Sequence, residues 1–149
     1  MRVAAATFRY AVGREKIREF ARATGERNPL HLDLDAARAA GFRDLVAPPM
    51  FAAVYAGPSF REALWAPALA VDRKMTVHGG QDFRFAELVV AGDELSTVAE
   101  VTGDAQRGAN RVVTIVTTST NQGGRVVTTG IWTVVVRPRR SSGRPEMPS

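Results

Sequence analysis

Between Gly13 and Gly25, the positions Ile17, Phe20, Ala21 and Thr24 fall at i, i+3, i+4 and i+7, with Arg and Glu filling much of the remainder. That spacing predicts an amphipathic helix over REKIREFARAT, preceded by a short extended run at Phe8–Val12 and stopped by Gly25. Asn28-Pro29 then blocks helical continuation, because proline lacks an N–H and pushes its predecessor out of the helical region. A second short helix is expected over Asp35–Gly41, with Asp33 or Asp35 as its cap and Gly41 closing it. The following stretch, LVAPPMFAAVYAGP from Leu45 to Pro58, is apolar almost all round. A helix without a polar face must be buried on most sides, and Pro48 and Pro49 suit its first turn. Phe60-REALWAPAL reads as a further helical turn or a flap beside it.

From Lys74 onward the period changes to two. The runs Lys74–Val90, Glu94–Ala105, Asn110–Asn121 and Gly124–Arg137 are rich in Val, Thr, Ile and Phe. Gly92-Asp93, Gly103-Asp104 and Asn121–Gly124 supply the turns between them, and Gly79-Gly80 marks a bulge. One wholly apolar helix ahead of four long strands predicts an α+β domain whose antiparallel sheet curls around that helix.

Composition narrows the function. The 149 residues are 45% hydrophobic and 23% charged, which suits one domain over residues 1–136. The net charge of +5 suggests nucleic acid until its distribution is read: the stretch 137–149, RPRRSSGRPEMPS, carries +3 of it. That stretch is expected to be a disordered basic tail, and neither a nucleic-acid partner nor a membrane is expected. With no 18-residue apolar run and no signal-peptide pattern, a cytoplasmic location is expected. Zero cysteines remove any thiolate nucleophile or disulfide, and two histidines are too few for a multi-histidine metal centre. The glycines lack phosphate-loop or dinucleotide spacing, so neither metal nor cofactor is expected.

Candidate chemistry gathers in ATGERNPLH, residues 23–31. Glu26, Asn28 and His31 surround the Asn-Pro break, and a carboxylate beside an imidazole can move the protons of water across an activated double bond. The same residues also read as a helix stop followed by solvated loop side chains, and spacing alone leaves both readings open. The start of the apolar helix is the second candidate, since free N–H groups there can polarise a carbonyl. Pro49 cannot donate, so Met50 or Phe51 would have to. His78, beside its Gly-Gly bulge, reads as structural or interfacial.

Taken in order, VGREKIREFARATGERNPLH, AARAAGFRDLVAPPMF, HGGQDFRFAELVVAGDEL and STNQGGRVVTTG resemble the MaoC-like branch of the hot-dog superfamily over residues 8–136. The resemblance implies a hot-dog fold and a hydro-lyase that interconverts trans-2-enoyl and (3R)-hydroxyacyl thioesters. In the (R)-specific enoyl hydratases of that family the loop reads approximately Gly-Asp-x-Asn-Pro-x-His. Gly25, Asn28, Pro29 and His31 match it, and Glu26 takes the Asp place. By that likeness His31 is the base or acid, Glu26 its carboxylate partner and Asn28 an orienting group. Phe51, Val54 and Tyr55 would line the acyl channel, with Met50 or Phe51 as oxyanion donor. Pro48-Pro49-Met50 stands where the hydratases carry His-Gly-Met, and this looks more like the N-terminal-type MaoC domains. These include the acyl-binding subunits of heterodimeric (3R)-hydroxyacyl-ACP dehydratases. The resemblance therefore implies an acyl-CoA or acyl-ACP thioester as substrate and a homodimer or a heterodimer with a second hot-dog subunit. A non-catalytic acyl-binding subunit and a hot-dog thioesterase are the alternatives.

Overall fold

The computed structural model describes residues 6–139. The five strands are β1 (Ala6–Ala11), β2 (Thr76–Phe85), β3 (Glu94–Arg107), β4 (Asn110–Thr120) and β5 (Val126–Val136). They form one sheet in the order β1-β3-β4-β5-β2, antiparallel throughout. The helices α1 (Arg14–Ala23), α2 (Leu34–Ala39) and α3 (Ala52–Leu64) all come from the first half. The sheet's concave face packs on α3, the hot-dog arrangement that the sequence resembles.

Period-two burial fixes which face is inside. Leu95, Thr97, Ala99 and Val101 of β3 are buried, as are Val113, Ile115, Thr117 and Ser119 of β4. A one-residue slip would turn this entire set outward, so the core enforces the register. Gly130 on β5 is held by packing: a Cβ there would lie 2.6 Å from Thr117 Oγ1 and 2.9 Å from both Phe83 and Trp132.

Several elements differ from expectation. The apolar helix does not begin at Leu45: Leu45–Ala47 is extended, with Val46 bridged to Val90 and the Ala47 N–H on Val89 O at 2.8 Å. A 3-10 turn at Pro49–Phe51 leads into α3, which passes through Pro58 and absorbs Phe60–Leu64. An interior proline forfeits one backbone bond, a cost of about 3 kcal/mol. Burial of Tyr55, Phe60, Ala63 and Leu64 on either side of Pro58 offsets it. Asp33 rather than Asp35 caps α2, accepting from the Asp35 and Ala36 N–H groups. Gly103-Asp104 is not a turn: β3 continues through it with a bulge, and the chain reverses after Arg107, where Gly108 supplies the positive φ. The strand expected to reach Val90 ends at Phe85.

The first three residues of the expected tail are tied to the fold. The Arg137 N–H donates to Met75 O at 2.8 Å, and Arg139 pairs with Asp72 at 2.7 Å. The remainder of that stretch, 140–149, lies outside the described residues.

Candidate active site

Gly25, at φ +74, ends α1, and the chain then turns into the 3-10 segment Pro29–His31. The Asn28 side chain caps that segment, its Oδ1 accepting from the Leu30 N–H at 3.1 Å. This turn drives His31 inward until only 6% of it is exposed. There its Nδ1 lies 2.7 Å from Val46 O. A carbonyl can only accept, so Nδ1 carries the hydrogen. In the neutral ring that leaves Nε2 with a free lone pair. Nε2 has no hydrogen-bond partner among the described residues.

The loop and the segment that holds His31 are anchored by neighbouring ion pairs. Arg14 clasps Asp44 through two bonds, Nε to Oδ1 at 2.9 Å and Nη2 to Oδ2 at 2.7 Å. The Arg14 hydrogen bond holds the Asp44 carboxyl down at about 2. Arg18 donates from Nε to Leu32 O at 3.0 Å while also pairing with Glu15. Asp93, a residue of an expected turn, is buried and accepts from the Val90 N–H, the Gln122 amide and Arg43. Burial pushes its carboxyl upward, and those donors outweigh burial to leave it below the ordinary range. Val46, Arg14, Asp44 and Asp93 lie within the runs that carry the resemblance, yet nothing in their residue types or spacing points to these contacts; a backbone carbonyl that bonds a histidine leaves no trace in residue type.

Glu26 is exposed, and no hydrogen bond joins its side chain to His31. Of the two N–H groups considered as carbonyl donors, that of Phe51 is occupied by Pro48 O at 2.9 Å. The Met50 N–H donates to no carbonyl among the described residues, and the Met50 side chain is exposed. Phe51 is fully buried, its ring edge-on to Phe20 and Tyr10. Val54 is half-buried against the core. Tyr55 alone of the expected acyl set lines the apolar cavity at the helix start, about 150 Å³ in volume, with Ala47, Pro48, Pro49, Phe85 and Leu88 among its walls. Burial pushes the Tyr55 hydroxyl up to about 12, with the Thr128 hydroxyl bonding it at 2.6 Å. His78 is exposed on β2, its Nε2 3.0 Å from Gly80 O and its ring stacked beside Phe60 and Trp132. The described residues hold no cluster of three metal-ligating side chains, and none of their helices is long and apolar enough to cross a membrane.

Comparison with known proteins agrees with the fold. A family model described as the FAS1-like dehydratase domain region matches residues 2–130. The UPF0336 protein of Clavibacter michiganensis subsp. michiganensis is 45% identical over 136 residues, covering 91% of each chain. Among solved structures, the C-terminally truncated HadBC (3R-hydroxyacyl-ACP dehydratase) complex of Mycobacterium tuberculosis superposes with a TM-score of 0.77 at 28% identity, covering 89% of this chain and 94% of that one. The (R)-hydratase of A. caviae involved in PHA biosynthesis gives 0.68 at 29% identity, covering 91% and 95%. With the hot-dog sheet and these matches together, the chain belongs to the FAS1-like dehydratase-region family of MaoC-like hot-dog proteins.

Proposed function

We propose that the chain is a hydro-lyase, or a subunit of one, that interconverts a trans-2-enoyl thioester and its (3R)-hydroxyacyl thioester. The observation that carries this reading is the contact of buried His31 Nδ1 with Val46 O at 2.7 Å. With Nδ1–H bound to Val46 O, the free Nε2 is a base directed by a rigid backbone contact. In the hydration direction Nε2 takes a proton from water as the water oxygen bonds to C3. The electron pair moves onto the thioester carbonyl, and as the enolate collapses C2 takes from Nε2 the proton that the water gave up, which returns His31 to its neutral form. Met50 N–H, at the start of the turn leading into α3, is the available donor for the enolate-like oxygen. Glu26 is the carboxylate assigned to orient the attacking water; its side chain is exposed and makes no hydrogen bond to His31.

The partner is a second hot-dog subunit, identical or related, seated along β2. That strand lies at one edge of the sheet with only β5 beside it. It also carries Gln81, whose Nε2 is the one buried side-chain nitrogen or oxygen without a hydrogen-bond partner among the described residues. An added strand would pair with the free backbone N–H and C=O groups along that edge. The (3R)-hydroxyacyl-ACP dehydratase similar to this chain is itself a complex.

Purified alone and given a trans-2-enoyl thioester, the chain is expected to form the 3-hydroxyacyl thioester without releasing thiol. Free thiol caught by a trapping reagent would mark a thioesterase instead. Turnover that begins only when a second hot-dog subunit is added would mark an acyl-binding subunit.

A further inference from the structure

Val46 lies opposite Val90 in an isolated antiparallel bridge. The bonds of that bridge run between the flanking residues, from the Ala47 N–H to Val89 O at 2.8 Å and from the Ala91 N–H to Leu45 O at 2.9 Å. In such a pair the two central residues turn their own N–H and C=O groups away from each other. Val46 directs its groups at the loop: the N–H donates to Leu30 O at 3.0 Å, and the C=O accepts from His31 Nδ1 at 2.7 Å. Val90 directs its groups the opposite way, and Asp93 takes both. The Val90 N–H donates to Asp93 Oδ2 at 2.8 Å, and the Val90 C=O accepts from the Asp93 N–H at 3.0 Å.

The other bonds of Asp93 tie this arrangement to the rest of the fold. Its carboxylate accepts from Gln122 Nε2 at 3.0 Å, in the turn between β4 and β5, and from Arg43, just ahead of Leu45. Its backbone C=O accepts from the Val12 N–H at 2.9 Å, at the end of β1. The side chain is buried, and a carboxylate that accepts from a backbone N–H, an amide and a guanidinium is held in one orientation. We propose that Asp93 is a positioning residue for His31. Asp93 fixes Val90, the bridge carries that placement across to Val46, and the Val46 carbonyl sets the tautomer and direction of the imidazole. No hydrogen bond joins Asp93 to His31, so Asp93 governs where the base points and takes no part in moving its proton. The inference rests on the proposed hydration for its effect on turnover, while its effect on the imidazole stands on geometry alone. A base displaced by about 1 Å can lose a hundredfold in rate.

With only two histidines in the chain, the imidazole nitrogens can be read directly by nitrogen-15 NMR of the full protein, and His78→Gln assigns the signals. At about pH 8, where a free imidazole is neutral, wild-type His31 is expected as a single tautomer with the hydrogen on Nδ1. Asp93→Ala should give a mixture of the two tautomers. Its kcat on a trans-2-enoyl thioester should fall about 10- to 100-fold with KM changed less than about twofold, the second subunit being present if turnover requires it. Asp93→Asn keeps an oxygen for the Val90 N–H and should retain more of both the tautomer and kcat. Ser59→Ala, which removes a buried hydrogen bond on the far side of the core, controls for general loss of stability and should leave both readouts at wild type. An unchanged tautomer in folded Asp93→Ala, equal damage in Ser59→Ala, or Asp93→Asn no better than Asp93→Ala would each overturn the proposal. If Asp93→Ala does not fold, hydrogen exchange of the wild type decides: the amides of Val46, Ala47, Val90 and Ala91 should open as one unit, and separate opening of Val90 and Val46 would overturn it. If no form hydrates the thioester, the proposed reaction fails while the tautomer still decides the role of Asp93.

Discussion

Beneath α3, buried hydroxyls satisfy one another or the backbone: Tyr55 with Thr128 at 2.6 Å, Thr97 with Ser119 at 2.7 Å, Ser59 on Thr97 O at 2.9 Å. Trp132 likewise donates to Thr117 at 2.9 Å. In the segment between β1 and α3, by contrast, buried His31 has one nitrogen fixed and the other unbonded. A closed set of hydrogen bonds spends its donors and acceptors on stability. A half-used imidazole keeps a lone pair for chemistry. On the proposed reading, the layer beneath α3 holds the fold and the loop supplies the reactive group.

The largest stability effect should come from the helix–sheet layer. Gly130→Ala would drive a methyl into Thr117, Phe83 and Trp132, and overpacking of this kind costs about 1–3 kcal/mol. A denaturant midpoint equal to that of the wild type would show that this layer is not tightly packed. Tyr55→Phe comes next. It leaves the buried Thr128 hydroxyl without its partner, for a loss of about 1–2 kcal/mol read from the same unfolding curves. Turnover per folded molecule should be preserved, because the account gives the hydroxyl no role in the reaction; a collapse of kcat at intact stability would erase the contrast between the two regions.

The smallest effect lies in the loop's scaffold. Asp44 titrates near 2 when folded and near its ordinary 3.8 when unfolded. The unfolded chain therefore takes up more protons as pH falls through that interval. Stability from the Arg14–Asp44 pair is present above about pH 4 and is lost as pH falls towards 2. Half-exposure of Arg14 keeps the contribution modest. Asp44→Asn should flatten the acid limb of an unfolding-midpoint against pH plot; an unchanged slope would remove the pair from the loop's support.

How legible these regions were follows from the range of the forces that make them. Periodicity gave the strands of the second half and the amphipathic α1, because burial alternates along the chain itself. The start and length of α3 were less legible. Pro58 is a local stop signal, and it was overruled by contacts with strands far away in sequence. The role of Gly103-Asp104 was hidden for the same reason: a bulge and a turn use the same residues, and only pairing with Thr114 and Val113 distinguishes them. The loop could be found by its likeness to a family motif. Its anchor could not, since Val46 contributes a carbonyl that any residue would provide. Spacing groups Glu26 and Asn28 with His31, yet Asn28 serves as a cap and Glu26 faces solvent.

The central claim is that the free Nε2 of His31 carries the reaction. Its most direct test is turnover of a trans-2-enoyl thioester by wild type and His31→Ala, with or without the second subunit as activity requires and normalised to folded protein. Loss of a general base predicts a fall of about 10²–10⁴-fold in kcat. Equal turnover by folded His31→Ala would contradict the account.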